Sequence, residues 1–168
     1  KEGIGVSLLD DNFKRLLLVQ QCLDTLVPDG PLKLLDDAAQ GSGLTRHLLE
    51  VINRLKQAAI EPDDFRKRTE PLQRHNPFHE LVAVVYEAYQ HALKKAGTYD
   101  VPGLYWEAVL RCDGVEPVAL RSIDVLILDG FDDFTPSEFR FIEGLEAHVG
   151  TLVFGLNYDD APGRQDLY

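Results

Sequence analysis

Three aspartates and a glycine follow one short apolar run, and residue types in that order can support metal or phosphate chemistry. The stretch is DVLILD at residues 124–129, in which Asp129 follows the apolar residues, and Gly130, Asp132 and Asp133 come closely after it. A carboxylate at the carboxyl end of a buried parallel strand lies where α/β folds place their ligand sites. Asp129 holds that position, so it is the candidate contact to a metal ion or a phosphate group.

The roles of these acids stay open on the residues alone. Asp129 either caps the strand end and the following turn or keeps a residual contact to Mg²⁺ or phosphate. Asp132 and Asp133 either join it in a two-metal cluster or are solvated carboxylates of a loop. A two-metal cluster would make the chain a metal-dependent nuclease or phosphatase.

Hydrolysis of a nucleoside triphosphate needs groups besides Asp129. In P-loop NTPases the aspartate at this place holds Mg²⁺, and in helicases a glutamate directly after it helps to activate the attacking water. Gly130 occupies that next position and has no side chain. The phosphate cradle G-x-x-x-x-G-K-[ST] is absent from the sequence, because the Gly-rich stretch at 41–47 has no lysine at the required place.

The elements around Asp129 predict a βαβ unit. Residues 124–129 read as a strand buried on both faces, and residues 151–158 read as a second buried strand. Between them, Thr135 and Glu138 form the pattern of a capping box at the start of a helix. The two strands should therefore be parallel, with a right-handed crossover. Two strands make a poor sheet, so partner strands are expected elsewhere.

Residues 1–112 predict a helical region. One helix should span residues 10–26 and end at the turn of residues 28–31, and another should follow Pro102. The apolar face of residues 44–59 is expected to consist of Leu44, Leu48, Val51, Leu55 and Ala58.

The helix within residues 76–97 has the clearest ends. Asn76 can cap it, Pro77 suits the first helical position, and Gly97 suits the position just past its end. Its buried stripe is expected to be Leu81, Val85, Ala88, Tyr89 and Ala92. The aromatic residues Tyr86, Tyr89, Tyr105 and Trp106 either belong to the core or rim or stack on nucleic-acid bases.

Charge and composition exclude several classes of protein. The net charge is −11, and residues 113–168 carry −9 of it, so the chain has no overall basic face for nucleic acid. The basic residues Arg66, Lys67, Arg68 and Arg74 form one local stretch, which is either a contact to the DNA backbone or a solvated helix end. No apolar run is long enough to span a membrane. Two distant cysteines and no signal peptide favour a reduced, cytoplasmic protein.

A family resemblance adds to this interpretation. Residues 126–145, LILDGFDDFTPSEFRFIEGL, resemble the second helicase motif of superfamily 1 enzymes of the UvrD/RecB type. They are more closely similar to the helicase-like N-terminal region of AddB/RexB subunits of bacterial helicase–nucleases. In that comparison Asp129 matches the metal aspartate, Gly130 replaces the catalytic glutamate, Phe131 matches the apolar position and Asp133 the second aspartate.

Other stretches extend the resemblance over about residues 30–160. Residues 48–68 are similar to the AddB pattern E-L-K-x-A-G-I-x-P-x-x-L. Residues 84–110 are similar to a helix with the pattern Y-x-x-Y-x-x-x-L-x-x-x-x-x-x-D, which active relatives share. Residues 151–160 take the place of the third helicase motif, where active enzymes carry G-D-x-x-Q and this chain lacks the glutamine.

The resemblance implies a fold and a function. Residues 1–112 would be a helical insertion subdomain like helicase subdomain 1B, and residues 113–168 a partial RecA-like βαβ edge of a P-loop NTPase-like sheet with a degenerate Walker B motif. It implies a catalytically decayed subunit that scaffolds, or scans DNA, during double-strand break processing and recombinational repair. Its partners would be DNA, through the complex, and an AddA-like helicase–nuclease subunit, and no membrane.

The resemblance also bears on cofactors and on the extent of the chain. It implies no cofactor in this segment, with Mg²⁺ and ATP in the parent protein. The first residue is Lys1 and methionine is absent, so a segment of a longer protein is expected. The alternative is an active ATP-dependent DNA helicase with its phosphate loop upstream of Lys1.

Overall fold

The computed structural model describes residues 7–26, 42–73, 77–114 and 122–156, and over these residues the chain is mostly helical with small parallel sheets. The elements are β1 (Ser7–Leu8), α1 (Asn12–Leu26), α2 (Ser42–Gln57), α3 (Pro62–Gln73), α4 (Pro77–Ala96), β2 (Thr98–Tyr99), α5 (Val101–Gly114), β3 (Val125–Phe131), α6 (Pro136–Glu146) and β4 (Thr151–Leu156). The chain divides into two compact units, residues 1–106 and residues 107–168. The mostly α class with a small α/β part is confirmed.

Helices α1, α2 and α4 enclose the core of the first unit. Its buried members are Val19, Cys22, Leu23, Leu48, Leu49, Ile52, Leu81, Val82, Val85, Tyr86, Tyr89 and Leu93. Tyr86 and Tyr89 are fully buried, and the Tyr86 hydroxyl donates to the Ile60 carbonyl oxygen at 3.0 Å. These two tyrosines are therefore core residues, and base stacking by them is excluded.

The buried face of α2 is rotated from the one that the sequence predicts. Leu48 is buried as expected, but Ala58 is exposed, and Leu49, Ile52 and Lys56 are buried instead. The prediction for Ala58 was wrong because it followed apolar residues only. The face that packs includes a lysine, which an apolar pattern leaves out.

Helix α2 ends in a left-handed residue that is not glycine. The N–H of Ile60 donates to the Leu55 carbonyl at 2.9 Å, and the N–H of Ala59 donates to the Lys56 carbonyl at 3.0 Å. This is the Schellman pair of bonds, and it places Ala59 at the position where glycine is preferred. Ala59 has a φ of 54°, which strains a residue with a Cβ atom.

The ends of α4 agree with the sequence where the structure describes them. Pro77 is the first helical residue, and Gly97 has a φ of 62° directly after the last turn. Asn76 and the turn of residues 28–31 lie outside the described residues. Strands β1 and β2, which the sequence did not predict, pair in parallel with Ser7 opposite Thr98.

Strands β3 and β4 of the second unit are parallel, as predicted, with Val125 opposite Thr151. The prediction that the first strand is buried on both faces was wrong. Val125 and Ile127 are 53% and 63% exposed, while the alternate residues Leu126 and Leu128 are half-buried. The described elements of this unit therefore cover at most one face of the two-stranded sheet.

Helix α6 begins with the predicted capping box. The N–H of Glu138 donates to Thr135 Oγ1 at 3.4 Å, and the N–H of Thr135 donates to the Glu138 carboxylate at 2.9 Å. Cys22 and Cys112 are both buried, and no disulfide joins them. Within the described ranges, no helix is both long and apolar enough to cross a bilayer.

Candidate functional site

The carboxyl end of β3 is the candidate site, because parallel strands present their ligand-binding residues at that end. Asp129 lies there, opposite Gly155 of β4 in the strand register. A Cβ atom on Gly155 would collide with Oδ1 of Asp129. The Asp129 carboxylate therefore lies across the backbone of β4, in space that only glycine leaves open.

Gly130 is the extra residue of a bulge. Asp129 pairs with Gly155 and Phe131 pairs with Leu156, so one more residue lies on β3 than on β4. Gly130 has a φ of +79°, and such a conformation costs a residue with a side chain about 1–2 kcal/mol. The backbone at this position therefore disfavours a glutamate, in addition to the sequence lacking one.

Aromatic residues surround the bulge. The rings of Phe131 and Phe134 stack with centroids 4.9 Å apart, and Phe154 meets Phe134 edge-on at 6.1 Å. Phe131 is 44% exposed and Phe154 is 42% exposed. The strand ends thus present an aromatic surface, to which the sequence assigned no role beyond the motif match of Phe131.

The acids of the loop do not come together as a metal-binding cluster in the part of the chain that the structure describes. Asp129, Asp132 and Asp133 are exposed, and within the described residues no three His, Cys, Asp or Glu side chains come together in a way that could hold a metal ion. A two-metal centre built on these aspartates has no support in this geometry. A role for Asp129 alone as a metal or phosphate contact stays a prediction.

The basic stretch lies on α3. Arg66 forms an ion pair with Glu87 of α4, with 2.6 Å between Nη2 and Oε2. Arg66 and Lys67 also line a groove together with Glu70 and Glu80, so the charge of this surface is mixed.

The two basic residues that remain in the stretch differ in what the structure describes. Arg68 is exposed on α3, and Arg74 lies outside the described residues. A contact of this stretch to the DNA backbone stays a prediction.

A buried polar cluster was not predicted from the sequence. Lys56 and Asp100 are fully buried and form an ion pair with 2.5 Å between Nζ and Oδ1. The Tyr89 hydroxyl donates to Oδ2 of Asp100 at 3.0 Å, and Arg15 lies 3.5 Å from the same oxygen. The N–H of Gly103 donates to Asp100 at 3.0 Å, so this carboxylate also caps α5.

The signal for this cluster was present in the family patterns. Lys56 is the lysine of the pattern E-L-K-x-A-G-I. Asp100 is the final aspartate of the pattern Y-x-x-Y-x-x-x-L-x-x-x-x-x-x-D, which begins at Tyr86. The patterns thus mark two partners of one buried ion pair rather than two separate surface features. Apolar periodicity ignores both residues.

Burial shifts the titration of the residues in and around this cluster. Burial lowers the pKa of Lys56, and the Asp100 carboxylate opposes that shift. Burial raises the pKa values of Tyr86 and Tyr89 above the usual tyrosine range, and the negative charge of Asp100 adds to both shifts. Lys56 also lies 5.5 Å from the centre of the Tyr89 ring, which is a cation–π contact.

Comparison with known proteins identifies the family. Residues 8–168 match the family described as ADDB, N-terminal. The match covers most of the chain, and the chain belongs to this family.

A curated relative is similar along nearly the whole chain. It is a subunit of the ATP-dependent helicase/deoxyribonuclease of Bacillus velezensis, and it is 26% identical over 170 residues. The alignment covers 89% of this chain and 14% of the relative, so the chain spans a small part of the relative's length.

Proposed function

We propose that this chain is the helicase-like N-terminal segment of a subunit that acts with a helicase–nuclease partner on the ends of broken DNA. Family membership and the similarity to a helicase/deoxyribonuclease subunit support the class of protein. The segment would scaffold the complex or scan DNA, and it would not hydrolyse ATP itself. The partner would be an AddA-like subunit in the cytoplasm, and the DNA contact would be made through the complex.

The observation that carries the loss of hydrolysis is the conformation of Gly130. A working site needs a carboxylate at this position to activate water, and losing a general base costs on the order of 10²–10⁴ in rate. Here the residue lacks a side chain, and its φ of +79° also disfavours any residue that has one. Asp129 is retained, but the residue that follows it has no carboxylate to activate water for hydrolysis.

The β3–β4 sheet supports a RecA-like origin for the second unit. Parallel sheets are usually covered on both faces, yet Val125 and Ile127 are exposed. We infer that further strands of a P-loop-like sheet extend β3 and β4 in the parent protein, and that their connecting helices cover this face. Residues 113–168 would be one edge of that sheet, and residues 1–112 the subdomain like helicase 1B.

Cofactors follow from the same proposal. Mg²⁺ and ATP would be bound elsewhere in the parent complex rather than by residues 1–168. The alternative of an active helicase motor in this chain requires a glutamate at position 130. The alternative of a metal-dependent nuclease requires an acid cluster that the described residues do not form.

Degradation of linear duplex DNA by the purified complex tests the proposal. The complex of the intact protein with its partner subunit should degrade DNA in the presence of MgATP, and the partner alone should not. Asp129→Ala should leave the rate of the complex unchanged, because Asp129 takes part in no hydrolysis. Full activity of the partner alone would refute the proposed role, and loss of activity in Asp129→Ala would refute the loss of catalysis.

A further inference from the structure

Helix α5 connects the two compact units of the chain, because the boundary between them falls after Trp106, inside this helix. Of residues 101–112, only Pro102 and Cys112 are buried, whereas α4 has seven buried residues. Elements with few buried side chains open at a lower cost than the core of a protein. The helix that joins the units is therefore a candidate for opening on its own.

Asp100 fixes the first turn of α5 to the first unit. Its carboxylate accepts a hydrogen bond from the Gly103 N–H at 3.0 Å, and its carbonyl oxygen accepts one from the Leu104 N–H at 2.9 Å. The same carboxylate is fully buried and binds Lys56 of α2 and Tyr89 of α4. The start of α5 therefore depends on one side chain whose other partners lie on helices of the core.

The cations around Asp100 have second partners that do not belong to α5. Nζ of Lys56 donates to the Gln90 side chain at 2.7 Å, and the Arg15 guanidinium donates to the Asn53 side chain. A buried cation that loses every partner is strongly unfavourable. Because Lys56 and Arg15 each keep an acceptor, Asp100 can leave together with α5 while the core helices stay paired.

Gly103 leaves open the space beside this ion pair. A Cβ atom at position 103 would lie 2.6 Å from Oδ1 of Asp100 and 3.1 Å from Nζ of Lys56. Both of these side chains are fully buried, so neither can move aside into solvent without cost. Alanine at position 103 would therefore weaken the ion pair, although alanine normally favours a helix over glycine.

We propose that the Lys56–Asp100 pair is a latch that holds α5 to the first unit, and that α5 opens without unfolding of α1, α2 and α4. In the open form the connection between the units would be a flexible link instead of a helix. This inference goes beyond the proposed function, because it rests on the contacts of Asp100 and on the burial of α5 alone.

Hydrogen exchange of the intact protein, measured by mass spectrometry on peptides of α4 and α5, tests the latch. We expect the amides of residues 104–112 to exchange at least about tenfold faster than those of residues 82–93. Gly103→Ala should speed the exchange of residues 104–112 by about a further tenfold and leave α4 unchanged, because it weakens the latch only. Tyr89→Phe, which removes one hydrogen bond to Asp100, should act in the same direction to a smaller extent.

Gly43→Ala is the matched control. Gly43 lies in the first turn of α2, and no atom of the described residues would lie within 4 Å of a Cβ atom there. This variant should leave the exchange of α5 unchanged. Faster exchange of α5 in this control would refute the latch, because the effect would then not depend on Asp100.

Three further results would overturn the proposal. Equal exchange rates of α4 and α5 in every variant would show that both helices unfold together with the core. Unchanged or slower exchange of α5 in Gly103→Ala would show that the buried ion pair does not limit its opening. Exchange of residues 104–112 at the rate of an unfolded chain in the unmodified protein would show that nothing holds the helix.

Discussion

At the scale of single residues, the first unit contains a fully buried ion pair of Lys56 and Asp100. Removing two charges from water costs several kcal/mol per ion, and the pair holds only because each charge is compensated. Asp100 receives hydrogen bonds from Lys56, Tyr89 and the Gly103 backbone. A change to one partner therefore leaves a buried group without its counter-charge.

Lys56→Met and Asp100→Asn should each destabilise the protein by about 3–5 kcal/mol, because each leaves one uncompensated buried charge. The double variant should be less destabilised than the sum of the two, since neither charge then remains. Urea unfolding followed by circular dichroism measures all three.

An exposed ion pair provides the control for this cycle. Lys14 lies 4.0 Å from Asp11 and is 66% exposed, so Lys14→Met should change the free energy of unfolding by about 0.5 kcal/mol or less. Additive effects of Lys56→Met and Asp100→Asn would show that the two residues are not energetically coupled.

Ala59→Gly should stabilise the protein by about 0.5–1 kcal/mol. The gain comes from relief of the backbone strain that the positive φ of 54° imposes on a residue with a Cβ atom. Lost burial of the methyl group and the greater conformational freedom of glycine in the unfolded chain reduce this gain. Thermal unfolding measures the change, and Ala96→Gly in the last turn of α4 is the control that should destabilise. A lower melting temperature for Ala59→Gly would contradict the strain at this position.

Single residues also show what the sequence could and could not predict. Gly97 and Thr135 were placed correctly, since cap residues act through local backbone geometry. The buried Lys56 was not found, because its partner Asp100 is distant in sequence and burial of a charge depends on the three-dimensional neighbours. The conformation of Gly130 was also not predicted, although its lack of a side chain was read from the sequence.

At the scale of elements, helix α4 contributes seven buried residues, Leu81, Val82, Ala83, Val85, Tyr86, Tyr89 and Leu93. Its residues Tyr86 and Tyr89 are fully buried, whereas the sequence predicted a stripe that omitted Tyr86. The stripe was too narrow because α4 packs against α1, α2 and α3 rather than against one neighbour. The number of neighbours of a helix is a tertiary property that its own periodicity shows only in part.

Alkaline titration should reveal this burial. The folded pKa values of Tyr86 and Tyr89 lie above the unfolded value of 10.0. The stability that these two tyrosines contribute in their neutral form is therefore fully present below pH 10.0 and is lost as the pH rises above it. The folded pKa of Lys56 is lowered, so the contribution of Lys56 to the free energy of unfolding increases with pH only until the pH reaches the unfolded pKa of 10.5. Above pH 10.5 the tyrosine effect remains, and the protein should lose stability.

Tyrosinate absorbance and circular dichroism measured together check this expectation. At least two of the six tyrosines should ionise only as the helical signal is lost. In a variant with Tyr86→Phe and Tyr89→Phe, the cooperative absorbance step should shrink accordingly. Ionisation of all six tyrosines with the helices intact would contradict the burial.

The β3–α6–β4 element was predicted most completely, including the parallel strands and the capping box. The strand–helix–strand arrangement depends on local signals, namely the two apolar runs and the Thr135–Glu138 capping box. The exposed face of β3 was not predicted. An apolar run shows which side chains a strand is able to bury, but it does not show whether another element packs against them. What covers that strand depends on residues distant in the chain.

At the scale of the whole molecule, the chain combines a helical unit with a small parallel sheet and belongs to the AddB N-terminal family. The relative from Bacillus velezensis is much longer, since the alignment covers 14% of it. The exposed apolar face of β3 and the positive φ of Gly130, which has no side chain, support our proposal that this segment keeps the framework of a motor without its chemistry.

Turnover of MgATP by the intact protein, purified without its partner subunit, tests the loss of hydrolysis most directly. We predict turnover at background level, unchanged by Asp129→Ala and not restored by Gly130→Glu, because the positive φ at position 130 does not suit a glutamate. Steady turnover that Asp129→Ala abolishes would contradict the account.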